Sequence, residues 1–163
     1  MVILGIDPGL AIVGYGLINY DNVKMKLIDY GAILTPAGMK IPERLDIIYD
    51  SMTELIKKYK PDAIAFEELF FAKNVKTAIA VAQARGAAVT AAYKQTKELY
   101  EYTPLQIKQA MTGYGRADKN QIQQMVKLLL GLKEIPKPDD AADAVAVAMT
   151  HAQSLHFGQD FRM

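Results

Sequence analysis

Four acidic residues, in three separate stretches of the chain, have the types and spacings that metal-ion chemistry needs. Asp7 and Glu67 each follow a short apolar run, and Asp140 and Asp143 share a face if their stretch is helical. Clustered carboxylates repel one another and are costly to bury unless a cation compensates their charge. Oxygen ligands favour Mg²⁺ or Mn²⁺ over zinc, and two such ions about 4 Å apart can activate water and stabilise the leaving oxygen of a phosphodiester. The four residues therefore predict metal-dependent phosphodiester hydrolysis.

Each of these acids also has a simpler structural interpretation. An aspartate at the start of a helix most often caps it or interacts with its dipole, which is the interpretation that we favour for Asp139. For Asp140 and Asp143 taken alone, cap and ligand are about equally well supported. Asp7 precedes a proline and could be a turn residue. His151 would lie about 16 Å further along the same helix than Asp140, so we interpret it as a surface or packing residue and not as a ligand.

The elements that must position these acids follow from the apolar pattern and from the turn and capping residues. Short apolar runs predict strands at residues 2–6, 13–20, 27–35, 63–66 and 99–102. Helices are predicted to begin at Pro42, at residue 74, at Pro104 after the cap Thr103, at Asp118 or Asn120, and at Asp139. The segment at residues 74–96 is predicted as one long helix or as two that meet at Arg85-Gly86.

This order of elements predicts an α/β fold with a mixed five-stranded sheet covered by helices on both faces. A right-handed crossover can place the strand at residues 63–66 parallel to the first strand. If those strands are neighbours, Asp7 and Glu67 emerge side by side at their carboxyl ends, where ligand sites of open α/β sheets tend to lie. The alanine-rich last helix can approach the sheet closely and carry Asp140 and Asp143 to the same edge.

The composition limits the class of protein. The 163 residues are predicted to form a single domain over residues 1–154, with a disordered tail at residues 155–163. The chain has no cysteine, which fits a reducing cytoplasm, and we expect neither a signal peptide nor a membrane-spanning segment. We therefore expect a cytoplasmic protein. The net charge of +1 does not by itself indicate a DNA-binding protein, so basic residues must act locally.

Four motifs connect these observations to a known family. "GIDPG", "FEELFFAKN", "AQARG" and "DAADAVAVA" occur in the order and at the separations that are typical of RuvC-type crossover junction endodeoxyribonucleases, which the chain resembles from residue 2 to about residue 152. The resemblance implies a ribonuclease-H-like fold and paired, Mg²⁺- or Mn²⁺-dependent nicks that resolve four-way (Holliday) DNA junctions in recombination and repair. It also implies that Asp7, Glu67, Asp140 and Asp143 hold the metal ions, two for each site, and carry the catalysis.

The segment after the catalytic glutamate is predicted to contact DNA. An exposed aromatic residue followed by Lys73, Asn74 and Lys76 would suit an unpaired base that stacks beside phosphates. The resemblance places the stacking aromatic at Phe70, with Phe71 as the alternative, although both could be core residues. Stacking of one base contributes roughly 1–3 kcal/mol, which is enough to help hold an opened crossover.

Four further basic residues are candidate DNA contacts. Lys108 and Lys119 match basic positions near the active site of the family, although a solvated surface lysine is the default for each. Lys119 would lie in the first turn of a helix, where backbone amides favour phosphate. Arg85 could bind phosphate or cap a break in its helix, and Arg116 in the "GYGR" loop has a similar status.

The resemblance also implies partners. The family acts as a homodimer, and the helix that contains "KTAIAVAQARGAAVTAA" contributes to the dimer interface, where small residues permit close helix contact. A two-fold enzyme suits a two-fold junction, with one active site for each continuous strand. Docking to a branch-migration helicase complex is implied by the family alone.

Three other functions are less consistent with the whole sequence. "GIDPGLAIVGYG" also resembles the phosphate loop of actin-like ATPases and sugar kinases, but those proteins need two such domains, for which this chain is too short. A ribonuclease-H-like RNA-processing nuclease shares the opening motif but would not be expected to carry "EELFFAKN" with "DAAD". A non-enzymatic junction-binding module would have no reason to gather four carboxylates, because they repel phosphate without a metal ion.

Overall fold

The computed structural model describes residues 1–69, 75–155 and 161–163; of residues 75 and 76 it describes the backbone. In these ranges, five strands form one sheet in the spatial order β3-β2-β1-β4-β5. The strands are β1 (Val2–Asp7), β2 (Ile12–Tyr20), β3 (Met25–Leu34), β4 (Ala63–Glu67) and β5 (Leu99–Tyr102). The helices are α1 (Ile41–Tyr59), α2 (Val75–Gln95), α3 (Pro104–Thr112), α4 (Lys119–Leu129) and α5 (Asp139–Ser154).

The sheet combines an antiparallel meander with a parallel half. Strands β1, β2 and β3 pair antiparallel, whereas β4 pairs parallel with both β1 and β5. The predicted mixed five-stranded sheet and the predicted parallel placement of the fourth strand are therefore confirmed. Because β1 and β4 are parallel neighbours, their last residues, Asp7 and Glu67, lie at the same edge of the sheet.

Each face of the sheet carries its own helical layer. Leu4 and Ile6 of β1 pack in the cluster that contains α1 and α2 residues, whereas Ile3 packs with residues of α5. Successive strand residues point to opposite faces, so Asp7 shares the α5 face with Ile3 and Gly5. The helices on both faces confirm the predicted layering, and no helix in the described ranges is long and apolar enough to cross a bilayer.

Helix α5 lies unusually close to the sheet because small residues meet at the contact. A Cβ atom on Gly5 would overlap the carbonyl oxygen of Ala144, and one on Gly14 would overlap the carbonyl oxygen of Asp140. The helix itself is buried along most of its length and presents alanines such as Ala148 to β1. The close approach fixes the first turns of α5 above the ends of the strands.

Local capping explains where two helices of the α5 layer begin. At α3, Gln106 N donates to Thr103 Oγ1 at 3.2 Å, and at α4, Gln121 N donates to Asp118 Oδ1 at 2.8 Å. The cap predicted at Thr103 is confirmed, and Asp118 is the cap of α4 rather than Asn120. Asp139 is the first residue of α5 and not its cap, since Pro138 occupies the capping position.

The described end of the chain is held to the sheet edge. Glu101 N donates to Phe161 O and Met163 N donates to Leu99 O, both at 3.0 Å. The ring of Phe161 lies 4.8 Å from that of Tyr102, measured between centroids. Residues 161–163 thus pair with β5 and contact Tyr102, and the disorder expected for residues 155–163 stays a prediction.

Candidate active site

The four predicted acids lie on one face of the sheet, at the carboxyl ends of β1 and β4. Asp7 and Glu67 are the last residues of those strands, and Asp140 and Asp143 occupy the first turns of α5. Asp7 interacts electrostatically with the other three carboxylates, and Glu67 and Asp143 line one cleft. The structure thus brings together residues that are up to 136 positions apart in the sequence (143 − 7).

The cluster carries more negative charge than its surroundings compensate. Burial, together with the charges of Glu67, Asp143 and Asp140, raises the pKa of Asp7 to about 8. Burial and the charge of Asp143 raise the pKa of Glu67 to about 7, against the opposing effect of Lys119 and Lys108. The raised pKa values mean that the site favours a bound positive charge, either protons or a cation.

Lys119 of α4 forms ion pairs with two acids of α5. Its Nζ atom lies 2.8 Å from Asp143 Oδ2 and 3.6 Å from Asp139 Oδ2. Burial alone would lower the pKa of Lys119, but the hydrogen bond to Asp143 and the neighbouring carboxylates raise it, so the ammonium form persists. The Asp118 cap at the start of α4 fixes the backbone from which this side chain reaches the cluster.

A cleft of about 170 Å³ opens beside Glu67 and Asp143. Lys108 of α3 and Lys119 of α4 lie on its walls, and its apolar lining includes Ile107. The cleft therefore places two cationic side chains next to two carboxylates, beside an apolar surface. Such an arrangement can bind a phosphate group beside groups that hold a cation.

The chemistry of the acidic cluster fits a divalent cation, although its present geometry is open. In the described part of the chain, no three carboxylate or imidazole side chains are grouped as ligands of a single ion. Asp143 instead forms its hydrogen bond with Lys119. The donor atoms are all oxygen, and burial raises the pKa of Asp7, Glu67 and Asp143, which a bound cation would reverse.

The other predicted DNA contacts have different positions. Phe70, Lys73 and Asn74 lie outside the described residues, and of Lys76 only the backbone, in the first turn of α2, is described. Arg116 is exposed in the loop between α3 and α4, the two helices whose lysines line the cleft.

Arg85 lies in the helical layer opposite the carboxylates. It forms an ion pair with Glu101 of β5, with Nη2 2.6 Å from Oε2. Helix α2 continues without a break through Arg85 and Gly86, so the interpretation of Arg85 as a cap is wrong. Its role as a DNA contact stays a prediction.

Two features of the site were not found from the sequence. Asp139 contacts Lys119, which adds a fifth acid at the margin of the cluster. The apolar lining of the cleft includes Ile107 of α3 and Ile122 of α4. The apolar pattern of each helix indicates only that these residues are buried. His151 is a buried packing residue, since its Nδ1 atom lies 2.8 Å from the hydroxyl of Tyr102.

Comparison with known proteins gives one consistent result. The family model for crossover junction endodeoxyribonuclease RuvC matches residues 3–151. The RuvC protein of Alkaliphilus oremlandii is 59% identical over 163 residues, covering 100% of this chain and 99% of that protein. That of Clostridioides difficile is 60% identical over 154 residues, covering 94% of this chain and 91% of that protein. The solved structure of T. thermophilus RuvC in complex with Holliday junction substrate has a TM-score of 0.90 and 34% identity, covering 100% of this chain and 99% of that chain.

Proposed function

This chain belongs to the RuvC family of crossover junction endodeoxyribonucleases, and from that premise we propose how its own residues resolve a four-way DNA junction. One observation carries the proposal: half-buried carboxylates from β1, β4 and α5 lie close together beside the two lysines of a cleft. The acids would hold divalent cations and the lysines would hold DNA. The RuvC of T. thermophilus is known in complex with Holliday junction substrate, which is the substrate proposed for this site.

Asp7, Glu67, Asp140 and Asp143 are proposed as the metal ligands. Mg²⁺ or Mn²⁺, two ions for each site, would supply activation of a water molecule and stabilisation of the leaving oxygen when bound. Asp7 and Glu67 are half-buried last residues of β1 and β4, so the strand ends would hold these ligands in place. Asp143 exchanges its hydrogen bond with Lys119 for a metal contact in this proposal.

Lys119 and Lys108 are proposed to bind the phosphate that is cleaved. The Lys119 ammonium is held at the cluster by Asp143 before DNA binds, so it is already oriented towards the reacting group. Lys108 approaches from α3, on the wall of the same cleft. Two cations from different helices would stabilise the charge that develops on the phosphate oxygens.

Further DNA contacts and partners follow from the family and from the surface. Phe70 is proposed to stack on an unpaired base, with Lys73, Asn74 and Lys76 beside the backbone phosphates. We propose a homodimer with one site for each of two DNA strands. Ile79 and Tyr93 of α2 support this assembly, because they are 57% and 55% exposed and offer an apolar face. Docking to a branch-migration helicase is proposed from the family resemblance.

The test is cleavage of a synthetic four-way junction by the purified protein. We expect paired nicks in opposite strands with Mg²⁺, no nicks with EDTA, and no nicks on an RNA–DNA hybrid. Asp7→Asn should abolish cleavage and leave junction binding largely intact, whereas Asp50→Asn, which changes an exposed carboxylate of α1, should have no effect. Unpaired or metal-independent nicks by the wild-type protein would contradict the proposal.

A further inference from the structure

A second groove, of about 580 Å³, adjoins the acidic cluster and shares no lining residue with the cleft. One wall is formed by residues 9–12, which are the turn after β1 and the first residue of β2, and the other includes Thr77 and Val81 of α2. Asp140 lines this groove, whereas Asp143 lines the cleft. Because both acids interact with Asp7, the cluster lies between the two depressions.

Arg44 of α1 is the cationic residue that lines this groove in the described part of the chain. Its Nε atom donates to Thr35 Oγ1 at 2.8 Å, and its Nη2 atom donates to Thr35 O at 3.1 Å. Thr35 is 2% exposed, and its hydroxyl donates to Leu10 O in the turn that forms the wall. The guanidinium is therefore fixed from behind by a buried residue.

The remaining nitrogen of Arg44 gives this residue a capacity that the fold does not use. Among the described residues, no hydrogen bond or ion pair engages Nη1, and no carboxylate neutralises the guanidinium. A planar, permanently charged group that is held in one orientation is suited to a phosphate oxygen. The small and apolar groups along the walls would allow a sugar–phosphate backbone to lie close to the turn.

We infer that this groove holds the DNA strand next to the cleavage site and that Arg44 binds one of its backbone phosphates. The inference rests on the proposed function, because the strand in the groove is the one whose phosphate would be cleaved at the acidic cluster. The position of the groove supports this, because a strand that runs from the cleft across the acidic cluster reaches the groove at Asp140. Arg44 acts as a positioning residue, and it has no part in proton transfer.

The first experiment separates phosphate binding from the structural contact with Thr35. Junction affinity is measured in Ca²⁺ at several salt concentrations, with a gel check that the junction stays intact. Arg44→Gln should weaken binding about tenfold and lower the slope of log Kd against log salt by about 1. Thr35→Val removes the hydrogen bond from Arg44 Nε to Thr35 Oγ1, leaves the one from Nη2 to Thr35 O, and keeps the charge. It should therefore keep the wild-type slope, as should Arg44→Lys. Equal defects in Arg44→Gln and Thr35→Val, with unchanged slopes, would overturn the inference.

The second experiment locates the phosphate. Neutral methylphosphonate groups replace, one at a time, the phosphates within about four positions of the cleavage site. One replacement should weaken wild-type binding and have no further effect on Arg44→Gln, since the same contact is already lost. Independent losses at every position would contradict the contact. Paired cleavage by wild type with Mg²⁺ is measured in parallel, so failure of the function is distinguished from failure of this inference.

Discussion

The half-buried carboxylate of Asp7, which we propose as a metal ligand, should lower the stability of the metal-free protein. Its pKa is about 8 in the folded protein, compared with an ordinary value of 3.8. Between these values the folded state holds a proton that the unfolded state has released. The free energy of unfolding of the metal-free protein therefore falls as the pH rises from about 4 to 8. Once the pH exceeds the folded-state pKa, each unit of pKa shift has lowered this free energy by about 1.4 kcal/mol.

Asp7→Asn should consequently stabilise the metal-free protein. We expect its Tm in EDTA at pH 8 to exceed that of wild type by several degrees, with the difference vanishing towards pH 4. Mg²⁺ should raise the Tm of wild type and have a smaller effect on the variant, because the variant lacks one of the proposed ligands. Thermal unfolding by circular dichroism measures both effects, with Asp50→Asn as the control. A lower Tm for Asp7→Asn at pH 8 would mean that the carboxylate has structural partners.

At the scale of elements, the position of the site depends on the contact between α5 and the first two strands. Gly14 pairs with Asp7 across β1 and β2, and its Cα faces the backbone of Asp140. One glycine thus lies between two of the proposed ligands. The distance between strand end and helix is set by backbone contact, which side-chain rearrangement cannot relieve.

Gly14→Ala should displace the first turn of α5. The added methyl group would overlap the carbonyl oxygen of Asp140, so we expect a loss of about 1–3 kcal/mol in the free energy of unfolding and at least a tenfold loss of cleavage. The control is Asp50→Asn, which changes an exposed carboxylate of α1 and should unfold and cleave like wild type. Urea unfolding and junction cleavage are the measurements, and full activity of Gly14→Ala would refute the role of this contact.

The elements also differ in how well the sequence predicted them. Local signals predicted the strands and the cap at Thr103, and they limited the cap of α4 to Asp118 or Asn120, since capping depends on residues only a few positions apart. The continuity of α2 was not predicted with certainty, because a glycine costs a helix only about 1 kcal/mol and tertiary packing can compensate. The ion pairs of Arg85 with Glu101 and of Lys119 with Asp143 join distant positions, so no local pattern could indicate them.

At the scale of the whole molecule, the charges nearly cancel. The chain has 19 basic and 18 acidic side chains, not counting histidine. A balanced protein cannot rely on overall attraction to DNA, so its affinity depends on where the charges lie. Here the lysines of the cleft and Arg44 in the groove flank a cluster of acids that itself repels phosphate. Metal binding would convert the centre of this surface from repulsive to attractive.

The effect of Asp140 on junction binding should therefore change sign when metal is added. In EDTA, Asp140→Asn removes a negative charge from the path of the DNA, and we expect junction binding several-fold tighter than wild type, on the order of 1 kcal/mol. In Ca²⁺, the same variant should bind more weakly than wild type, because it holds the cation less well. Fluorescence anisotropy with a labelled junction measures both conditions, and Asp50→Asn should match wild type throughout. The same order of affinities in EDTA and in Ca²⁺ would show that Asp140 affects DNA binding independently of a metal ion.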